Sequence, residues 1–329
     1  MPFFNLYPCI FFCTRIIVAN FAGMKESYHI CFTSHGEVMF RDEEDHGMFI
    51  NLLALRAYSC DAQVMSDAEM SNHVHLNVFV NRPLRFGSLL RMSYTKYFNR
   101  KYGRSGRMGE PGIFVLRVEG LNHHIVLNNY IIRNALHHGA AASAFGYPYC
   151  TARDIFSRDL GYLQEESIIT NRETIRTYLP RYSEFPDSYE MNADGVFLRR
   201  SFMEIRQVEH FYASPRNFLY QMNRLTDETW DRDQEKDGSG KPIHLSDVEP
   251  GYSEKDIALL LKNENARNYR QNQLQDLDVC RRIDKVLLPG YGVHSIYQLT
   301  DSQRQRIART LLYEFHLPEA QIRRCLAIL

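Results

Sequence analysis

Two histidines one residue apart, His73 and His75, lie in the string MSNHVHLNVFV at residues 70–80. Polar and aliphatic side chains alternate along it: His73, His75 and Asn77 fall on one side, and Val74, Leu76 and Val78 on the other. A β-strand would therefore point both imidazoles at one face and bury the aliphatic side chains. Two imidazoles on a rigid strand are suited to binding a metal ion. So short a motif is also compatible with two half-exposed histidines at a sheet edge.

A basic stretch follows this strand, although the formal charge of the whole chain is zero. Residues 71–109 contain no Asp or Glu and eight basic residues: Arg82, Arg85, Arg91, Lys96, Arg100, Lys101, Arg104 and Arg107. Four aromatic residues are interleaved with them: Tyr94, Tyr97, Phe98 and Tyr102. Basic groups neutralise phosphates, and aromatic rings can stack on unpaired bases, so the stretch favours nucleic acid as the partner. The alternative is a solvated basic helix whose aromatic residues face the core.

A third segment, HHIVLNNYIIRNALHHG, predicts a helix over residues 123–138 that ends at Gly139. Tyr130 and Asn134 are four residues apart and therefore neighbours on one face, with Arg133 about 60° away around the axis. A tyrosine, an asparagine and an arginine on one side of a helix form a candidate catalytic face. The alternative is that Tyr130 is a packing residue with its hydroxyl at the rim. Two later tyrosines, Tyr147 and Tyr149, lie in a proline-containing turn and are weaker candidates.

The elements that must position these residues follow from hydrophobic periodicity and caps. Strands are predicted at residues 28–33, 63–70, 73–80 and 113–118, with a further short strand reaching Phe40. Helices are predicted over residues 42–58, capped by Asp42, over 84–102 and over 123–138. Strands interleaved with helices in this way indicate an α+β fold with helices packed on an antiparallel sheet.

Composition limits the class of protein. A chain of 329 residues with 44% hydrophobic residues has enough apolar side chains for two domains, or for one domain with a long appendix. Its seven cysteines are scattered and odd in number, without a C-x-x-C pair, so they predict reduced thiols rather than a disulfide framework or zinc site. We therefore expect a soluble, cytoplasmic protein with no membrane partner.

Three segments in this order resemble the single-tyrosine HUH transposases, the insertion-sequence and REP-associated tyrosine transposases. They are MSNHVHL at 70–76, SYTKYFNRKYGRSGR at 93–107 and YIIRNALHHG at 130–139, and the resemblance covers about residues 28–156. Family members often carry N-P-V-R-A-G where this chain has N-A-L-H-H-G. The proline is missing, and His137 and His138 occupy the last helical turn, where imidazoles complement the helix dipole.

The resemblance implies a ferredoxin-like catalytic core with both histidines on a central strand. It implies that His73 and His75 bind a divalent ion, Mg²⁺ or Mn²⁺, with Asn134 as third ligand, and that Tyr130 is the nucleophile. Tyr130 would attack a phosphodiester in single-stranded DNA, become linked to the 5′-phosphate and free a 3′-hydroxyl. A tyrosine hydroxyl has a pKa of about 10 and is therefore a poor nucleophile at neutral pH. A metal ion that polarises the scissile phosphate would make the attack easier. The imidazoles favour Mn²⁺ over Mg²⁺.

The partner implied by the resemblance is hairpin-forming single-stranded DNA of a mobile element, held along its backbone by Arg133 and the eight basic residues. Related enzymes act as monomers or as homodimers that exchange their tyrosine helices, and the sequence leaves this open. Two other functions also remain open. One is a non-catalytic DNA-binding regulator built on the same core, and the other is a metal-dependent phosphodiesterase with a water nucleophile.

The sequence predicts four regions. Residues 1–23 form an apolar extension that polar residues and a proline interrupt, so its longest uninterrupted stretch is well short of the roughly 20 residues that span a bilayer. We interpret it as an upstream extension or a mis-called start before Met24. The catalytic domain covers 24–158. Residues 159–250 form a helical region, with helices at 165–178 and 201–211, and a polar linker at 231–251. Residues 251–329 form a helical domain that begins with a helix at 253–265.

The end of the chain predicts two helices joined by a short turn. Thr300 would cap the first, over residues 301–315, and Pro318 would occupy the first position of the second. The second helix carries Gln321, Arg323 and Arg324. This arrangement is typical of a helix-turn-helix that reads duplex DNA, and a plain helical hairpin is the alternative.

Overall fold

The computed structural model describes residues 25–34, 36–109, 111–163, 168–223 and 274–328. The predicted N-terminal extension (1–23), the polar linker (231–251) and the predicted helix at 253–265 lie outside these residues. In the described part of the chain, no helix combines the length and the apolar character needed to cross a membrane.

A four-stranded antiparallel sheet forms the centre of the fold. Its strands are β1 (Glu26–Thr33), β2 (Gln63–Glu69), β3 (His73–Val80) and β4 (Phe114–Val118), in the spatial order β2-β3-β1-β4. Helix α1 (Glu43–Ser59) connects β1 to β2, and helix α2 (Pro83–Tyr102) connects β3 to β4. This βαββαβ order is that of a ferredoxin-like sheet. The chain therefore has the α+β fold that the sequence predicts.

The two faces of the sheet differ in polarity, because the side chains of β1 and β3 alternate in register. One face carries aliphatic and aromatic residues of the central strands: Tyr28, Ile30, Phe32, Val74, Leu76 and Val78. Helix α2 packs on this face, since a Cβ at its Gly87 would lie 3.1 Å from Ile30. The other face is mainly polar, and helix α3 (Leu121–His137) covers it. It carries Ser27, His29, Cys31, Thr33, His73, His75, Asn77 and Phe79. A one-residue slip of β3 would exchange the two sets.

Local sequence signals explain where the helices begin and end. Asp42 caps α1 by accepting a hydrogen bond from the backbone nitrogen of Asp45, as predicted. Pro83 occupies the first turn of α2, and Gly103 ends it in a left-handed conformation with φ of 64°. The predicted short strand reaching Phe40 is wrong. The backbone nitrogen of Met39 donates to the Ser71 carbonyl oxygen, a loop partner, so no strand ladder forms there.

The region after the sheet packs into the same hydrophobic core. It contains β5 (Ile168–Ile169), α4 (Arg172–Tyr178), β6 (Met191–Asn192), α5 (Arg199–Phe202), α6 (Ile205–Tyr212) and α7 (Pro215–Asn223). Of the helix predicted at 165–178, residues 165–167 lie outside the described residues, Ile168 and Ile169 form β5, and the helix begins only at Arg172. A break at Met203 and Glu204 divides the helix predicted at 201–211. The Glu204 nitrogen donates to the Val64 carbonyl oxygen, which covers the edge of β2. The predicted domain boundaries stay predictions.

A second, smaller core lies at the end of the chain. Helices α8 (Asp276–Arg282), α9 (Asp301–Tyr313) and α10 (Glu319–Cys325) build it, together with Val38 from the loop after β1. Thr300 caps α9 in a reciprocal capping box with Gln303, which confirms the predicted cap. Pro318 is the residue before α10 rather than its first residue. The buried guanidinium of Arg41 joins the two cores, because it bonds Asp284 and the Cys325 carbonyl oxygen.

Candidate active site

The hydroxyl of Tyr130 on α3 lies 3.5 Å from Nε2 of His75 on β3. This separation is longer than an ordinary O–H···N hydrogen bond. The two rings meet edge to face, with centroids 5.2 Å apart. Both side chains are buried, with 0% of Tyr130 and 1% of His75 exposed. The strand and the helix thus bring together the predicted nucleophile and one of the predicted ligands.

The second histidine meets the predicted third ligand. Nε2 of His73 lies 3.1 Å from Oδ1 of Asn134, while its Nδ1 lies 2.8 Å from Oδ1 of Asn72. If Nδ1 donates its proton to Asn72, the lone pair of Nε2 faces the Asn134 oxygen. Two acceptors in this arrangement suit a cation between them. The opposite amide orientation would suit a direct hydrogen bond.

The separation between His73 and Asn134 fits two ligand atoms on one metal ion. Ligand atoms about 2.1 Å from a metal are about 3.0 Å apart at octahedral angles and about 3.4 Å apart at tetrahedral angles. The Nε2 of His73 and the Oδ1 of Asn134, 3.1 Å apart, lie close to the octahedral value. Two imidazoles and one amide oxygen are a donor set that suits a divalent ion. No three His, Cys, Asp or Glu side chains form a metal-binding group in the part of the chain that the structure describes.

Three histidines that the sequence analysis did not place in the site lie around it. Nε2 of His29 on β1 lies 2.9 Å from Nδ1 of His75. The rings of His137 and Tyr130 have centroids 6.1 Å apart, and those of His138 and His73 are 5.1 Å apart. The doublet at the end of the helix was interpreted only as complementing its dipole. In the sequence, only the alternation of His29 with Cys31 along β1 indicates which face of the sheet His29 occupies. Its place beside His75 follows from the register of β1 with β3.

Burial determines the charge state of the central histidine. Loss of water lowers the pKa of His75 well below its usual value, and the surrounding histidines His73, His29, His138 and His137 lower it further. His75 is therefore neutral at neutral pH, so one of its ring nitrogens carries a lone pair. A neutral imidazole is the form that binds a metal ion or accepts a proton.

A row of hydrogen bonds seats α3 on the polar face of the sheet. The Asn128 oxygen accepts from the hydroxyl of Ser66 at 2.6 Å and from the amide of Asn77 at 3.0 Å. Asn77 in turn accepts from Ser27 at 3.0 Å. Since these groups are buried, their pairing fixes the position of the helix along the strands. The same register sets Tyr130 and Asn134 over the two histidines.

The basic helix α2 lies on the opposite face of the sheet from Tyr130. Five of the eight predicted DNA-binding residues are exposed: Arg82, Arg85, Lys96, Arg100 and Arg107. The other three bind protein groups. Arg91 donates to the carbonyl oxygens of Pro111 and Gly112, Lys101 pairs with Asp42, Glu44 and Asp45, and Arg104 pairs with Glu37. These contacts fold the glycine-rich loop after α2 and attach α2 to the start of α1.

The aromatic residues of α2 face the core, which corrects their interpretation as a platform for bases. Tyr94, Phe98 and Tyr102 are buried, and Tyr97 is half-buried. The hydroxyls of Tyr97 and Tyr102 donate to Asp45 at 3.0 and 2.8 Å. The aliphatic face of the sheet requires an apolar side on α2, and these rings supply it.

The remaining predicted residues divide between buried and exposed positions. Arg133 is buried within α3, with 6% of it exposed. On α10, Gln321 is buried and bonds the Leu274 carbonyl oxygen and Asp276, and Arg324 pairs with the same aspartate. Arg323 is exposed. The DNA-reading role of α10 stays a prediction, and Arg323 is its accessible member.

The two other tyrosine candidates lie in separate contacts. The Tyr147 hydroxyl donates to the Glu69 carbonyl oxygen at 2.6 Å. The Tyr149 ring stacks on His46 with centroids 3.5 Å apart, and burial raises the pKa of Tyr149 to about 12. These contacts give both rings a structural role.

Comparisons with known proteins give a weak structural likeness. No protein-family model and no curated protein matches the chain. Among solved structures, it is similar to a REP-associated tyrosine transposase bound to a REP hairpin, with 10% identity and a TM-score of 0.37. The match covers 49% of this chain and 88% of that one.

Proposed function

We propose that the chain is a transposase-type DNA strand transferase in which Tyr130 is the nucleophile. The observation that carries this proposal is the pairing of two polar groups on α3 with two histidines on β3. Tyr130 lies at His75 and Asn134 lies at His73, at separations of 3.5 and 3.1 Å. A tyrosine placed only for packing would not require a second polar group one turn away, opposite a second histidine.

The reaction exchanges one phosphate ester for another. The Tyr130 oxygen forms a bond to phosphorus, the bond from phosphorus to the 3′-oxygen breaks, and the tyrosine proton ends on the freed 3′-hydroxyl. The number of phosphodiester bonds is unchanged, so a later 3′-hydroxyl can reverse the step without ATP. Without a metal ion, Nε2 of His75 faces the tyrosine oxygen at 3.5 Å. A divalent ion held by His73, His75 and Asn134 would supply polarisation of the scissile phosphate.

The burial of Tyr130 adds a requirement to this proposal. A phosphate cannot reach a side chain with 0% exposure, so α3 must move away from the sheet before the chemistry. The helix is flanked by Gly120 and Gly139, whose φ angles are 85° and 67°. Both glycines occupy conformations that other residues adopt at a cost, and they are suited to absorb a change in the direction of the helix.

The position of the basic residues divides the proposed DNA site into two parts. The exposed cations of α2 lie across the sheet from Tyr130, so they would bind DNA that flanks the cleavage point. The partner we propose is single-stranded DNA with a hairpin, long enough to pass around the edge of the sheet. Arg323 on α10 is the candidate contact for duplex DNA.

A metal-dependent phosphodiesterase with a water nucleophile is the second candidate. The observation that favours it is the difference in exposure between His73, which is partly exposed, and Tyr130, which is not. Water and a phosphate could reach His73 without any movement of α3. This candidate predicts cleaved DNA with free 5′-phosphate or 3′-phosphate ends and no bond to protein.

A gel assay for a covalent protein–DNA adduct tests the proposal. The full chain, Mn²⁺ and labelled single-stranded hairpin DNA from the flanks of its gene are combined, with Tyr130→Phe and Tyr149→Phe as the matched pair. We expect a metal-dependent adduct in the wild type and in Tyr149→Phe, whose ring still stacks on His46, and none in Tyr130→Phe. Cleavage without adduct would favour the phosphodiesterase. DNA binding without cleavage in every variant would favour a non-catalytic regulator.

A further inference from the structure

We infer that His29 is a positioning residue: it holds the proton of His75 on Nδ1, so that the Nε2 lone pair of His75 faces α3. The inference rests on the proposed function, because it assigns His29 a task within that same site. His29 lies on β1, outside the three sequence segments that carry the tyrosine and the histidine pair.

The sheet register places His29 beside His75. His29 is directly opposite Asn77 across the β1–β3 ladder, and His75 is opposite Cys31. His29 and His75 are therefore diagonal neighbours on the polar face. Their nitrogens Nε2 and Nδ1 are 2.9 Å apart, and their rings stack with centroids 5.1 Å apart and an angle of 22° between planes.

The surroundings of His29 hold its ring in this orientation. The side chain is fully buried. The ring of Phe114 on β4 meets the His29 ring edge to face, with centroids 5.4 Å apart, and the Tyr130 ring meets it with centroids 6.0 Å apart. A buried ring packed on two sides cannot turn easily to offer a different atom to His75.

A neutral imidazole carries its proton on one nitrogen and its lone pair on the other. An acceptor beside Nδ1 of His75 therefore keeps the proton on Nδ1 and leaves the lone pair on Nε2. Asn72 makes the corresponding contact with Nδ1 of His73 at 2.8 Å. Each histidine of the pair thus has a partner at Nδ1 and its Nε2 directed at α3. Partners of this kind orient metal-binding histidines, and their removal typically weakens metal binding 10- to 100-fold.

Three variants separate this role from packing. His29→Leu removes the acceptor, and His29→Gln replaces it with an amide oxygen that reaches the same place. Ile30→Val is the matched control. Ile30 is the next residue on the same strand and is fully buried, and its side chain packs under α2, so the change loosens packing on the face away from His75. Urea unfolding of each variant shows which ones are folded.

The first readout is the tautomer of His75 in the metal-free protein, measured from its ring ¹⁵N chemical shifts. We expect the Nδ1–H form in the wild type, His29→Gln and Ile30→Val, and a mixture or the Nε2–H form in His29→Leu. An Nε2–H form in the wild type, or an unchanged tautomer in His29→Leu, would overturn the inference. If His29→Leu does not fold, a change of tautomer in His29→Gln decides against it.

The second readout is Mn²⁺ affinity, measured by titration without DNA. We expect His29→Leu to bind about 10- to 100-fold more weakly than the wild type, and Ile30→Val and His29→Gln to bind as the wild type does. Equal losses in His29→Leu and Ile30→Val would show a general packing effect and refute the positioning role. A wild type that binds no Mn²⁺ or forms no adduct contradicts the proposed function, while the tautomer measurement still judges His29.

Discussion

Removing the buried arginine that attaches α5 to the sheet should strongly destabilise the protein. Arg199 donates to Asp67 at 2.9 and 2.8 Å and to Glu69 at 3.0 Å. Both carboxylates have 0% exposed side chains. Arg199→Met would leave them buried without their cation, and breaking a buried ion pair from one side costs about 3–5 kcal/mol. With a urea m-value of about 3 kcal/mol/M, the midpoint would fall by more than about 1 M.

The loss should depend on pH in a defined direction. Burial raises the pKa of Glu69 well above its ordinary value of 4.5, and Arg199 opposes this rise. A carboxyl group with a raised folded-state pKa contributes stability that is complete below the unfolded-state pKa and is lost as pH rises toward the folded-state pKa. Without Arg199 the rise is larger, so the deficit of the variant should widen as pH rises above the folded-state pKa that Glu69 has in the wild type.

Arg200→Met is the matched control for this measurement. Arg200 is the next residue, and its ion pair with Glu190 is 3.5 Å long and half-exposed. Such pairs contribute at most about 1 kcal/mol. If urea unfolding showed equal losses for the two variants, or a deficit of Arg199→Met that narrows with rising pH, the argument from buried carboxylates would be refuted.

Two further predictions concern the ligands and the DNA. Asn134→Ala should weaken Mn²⁺ binding at least about tenfold, or about 1.4 kcal/mol. Asn134→Asp should strengthen Mn²⁺ binding, because a carboxylate would then face His73. Calorimetric titration measures both affinities, and affinities equal to that of the wild type would contradict the ligand role. Lys96→Gln and Arg100→Gln should each reduce the salt dependence of single-stranded DNA binding, lowering the log–log slope by about 0.7. Lys101→Gln should leave that slope unchanged and reduce stability instead, since Lys101 pairs with Asp42 and Asp45; a fluorescence titration at several salt concentrations would distinguish the two outcomes.

Much of the sheet and its helices could be predicted from the sequence because the signals are local. The alternation along β3, the cap at Asp42 and the glycine after α2 each act within a few residues, and the structure confirms these elements to within a few positions. The predicted strand at Phe40 was wrong because the neighbouring backbone nitrogens donate to Ser71 in a loop and to Arg324 in a helix, contacts between distant segments that local patterns do not show.

The candidate site was predictable only in part for the same reason. The helix spacing was enough to place Tyr130 and Asn134 on one side, and the strand period was enough for His73 and His75. Contacts between distant segments could not be predicted from the sequence. They include the strand register that brings His29 to His75 and the ion pairs of Arg104 with Glu37 and of Lys101 with Asp42. The burial of Arg133 likewise depends on the fold. The charge of the basic stretch was visible, but which of its members are available to DNA depends on the fold.

The polarity of the sheet beneath α3 has a thermodynamic consequence. Most helices cover a sheet through apolar side chains, and separating such a pair exposes apolar surface with a large positive change in heat capacity. Here the central strands present serine, histidine and asparagine to the helix, together with Cys31 and Phe79. Hydration of polar groups contributes to the heat capacity with the opposite sign. The proposed movement of α3 should therefore have a smaller heat capacity change than the separation of an equally large apolar contact, and the ratio of open to closed forms should show less curvature with temperature.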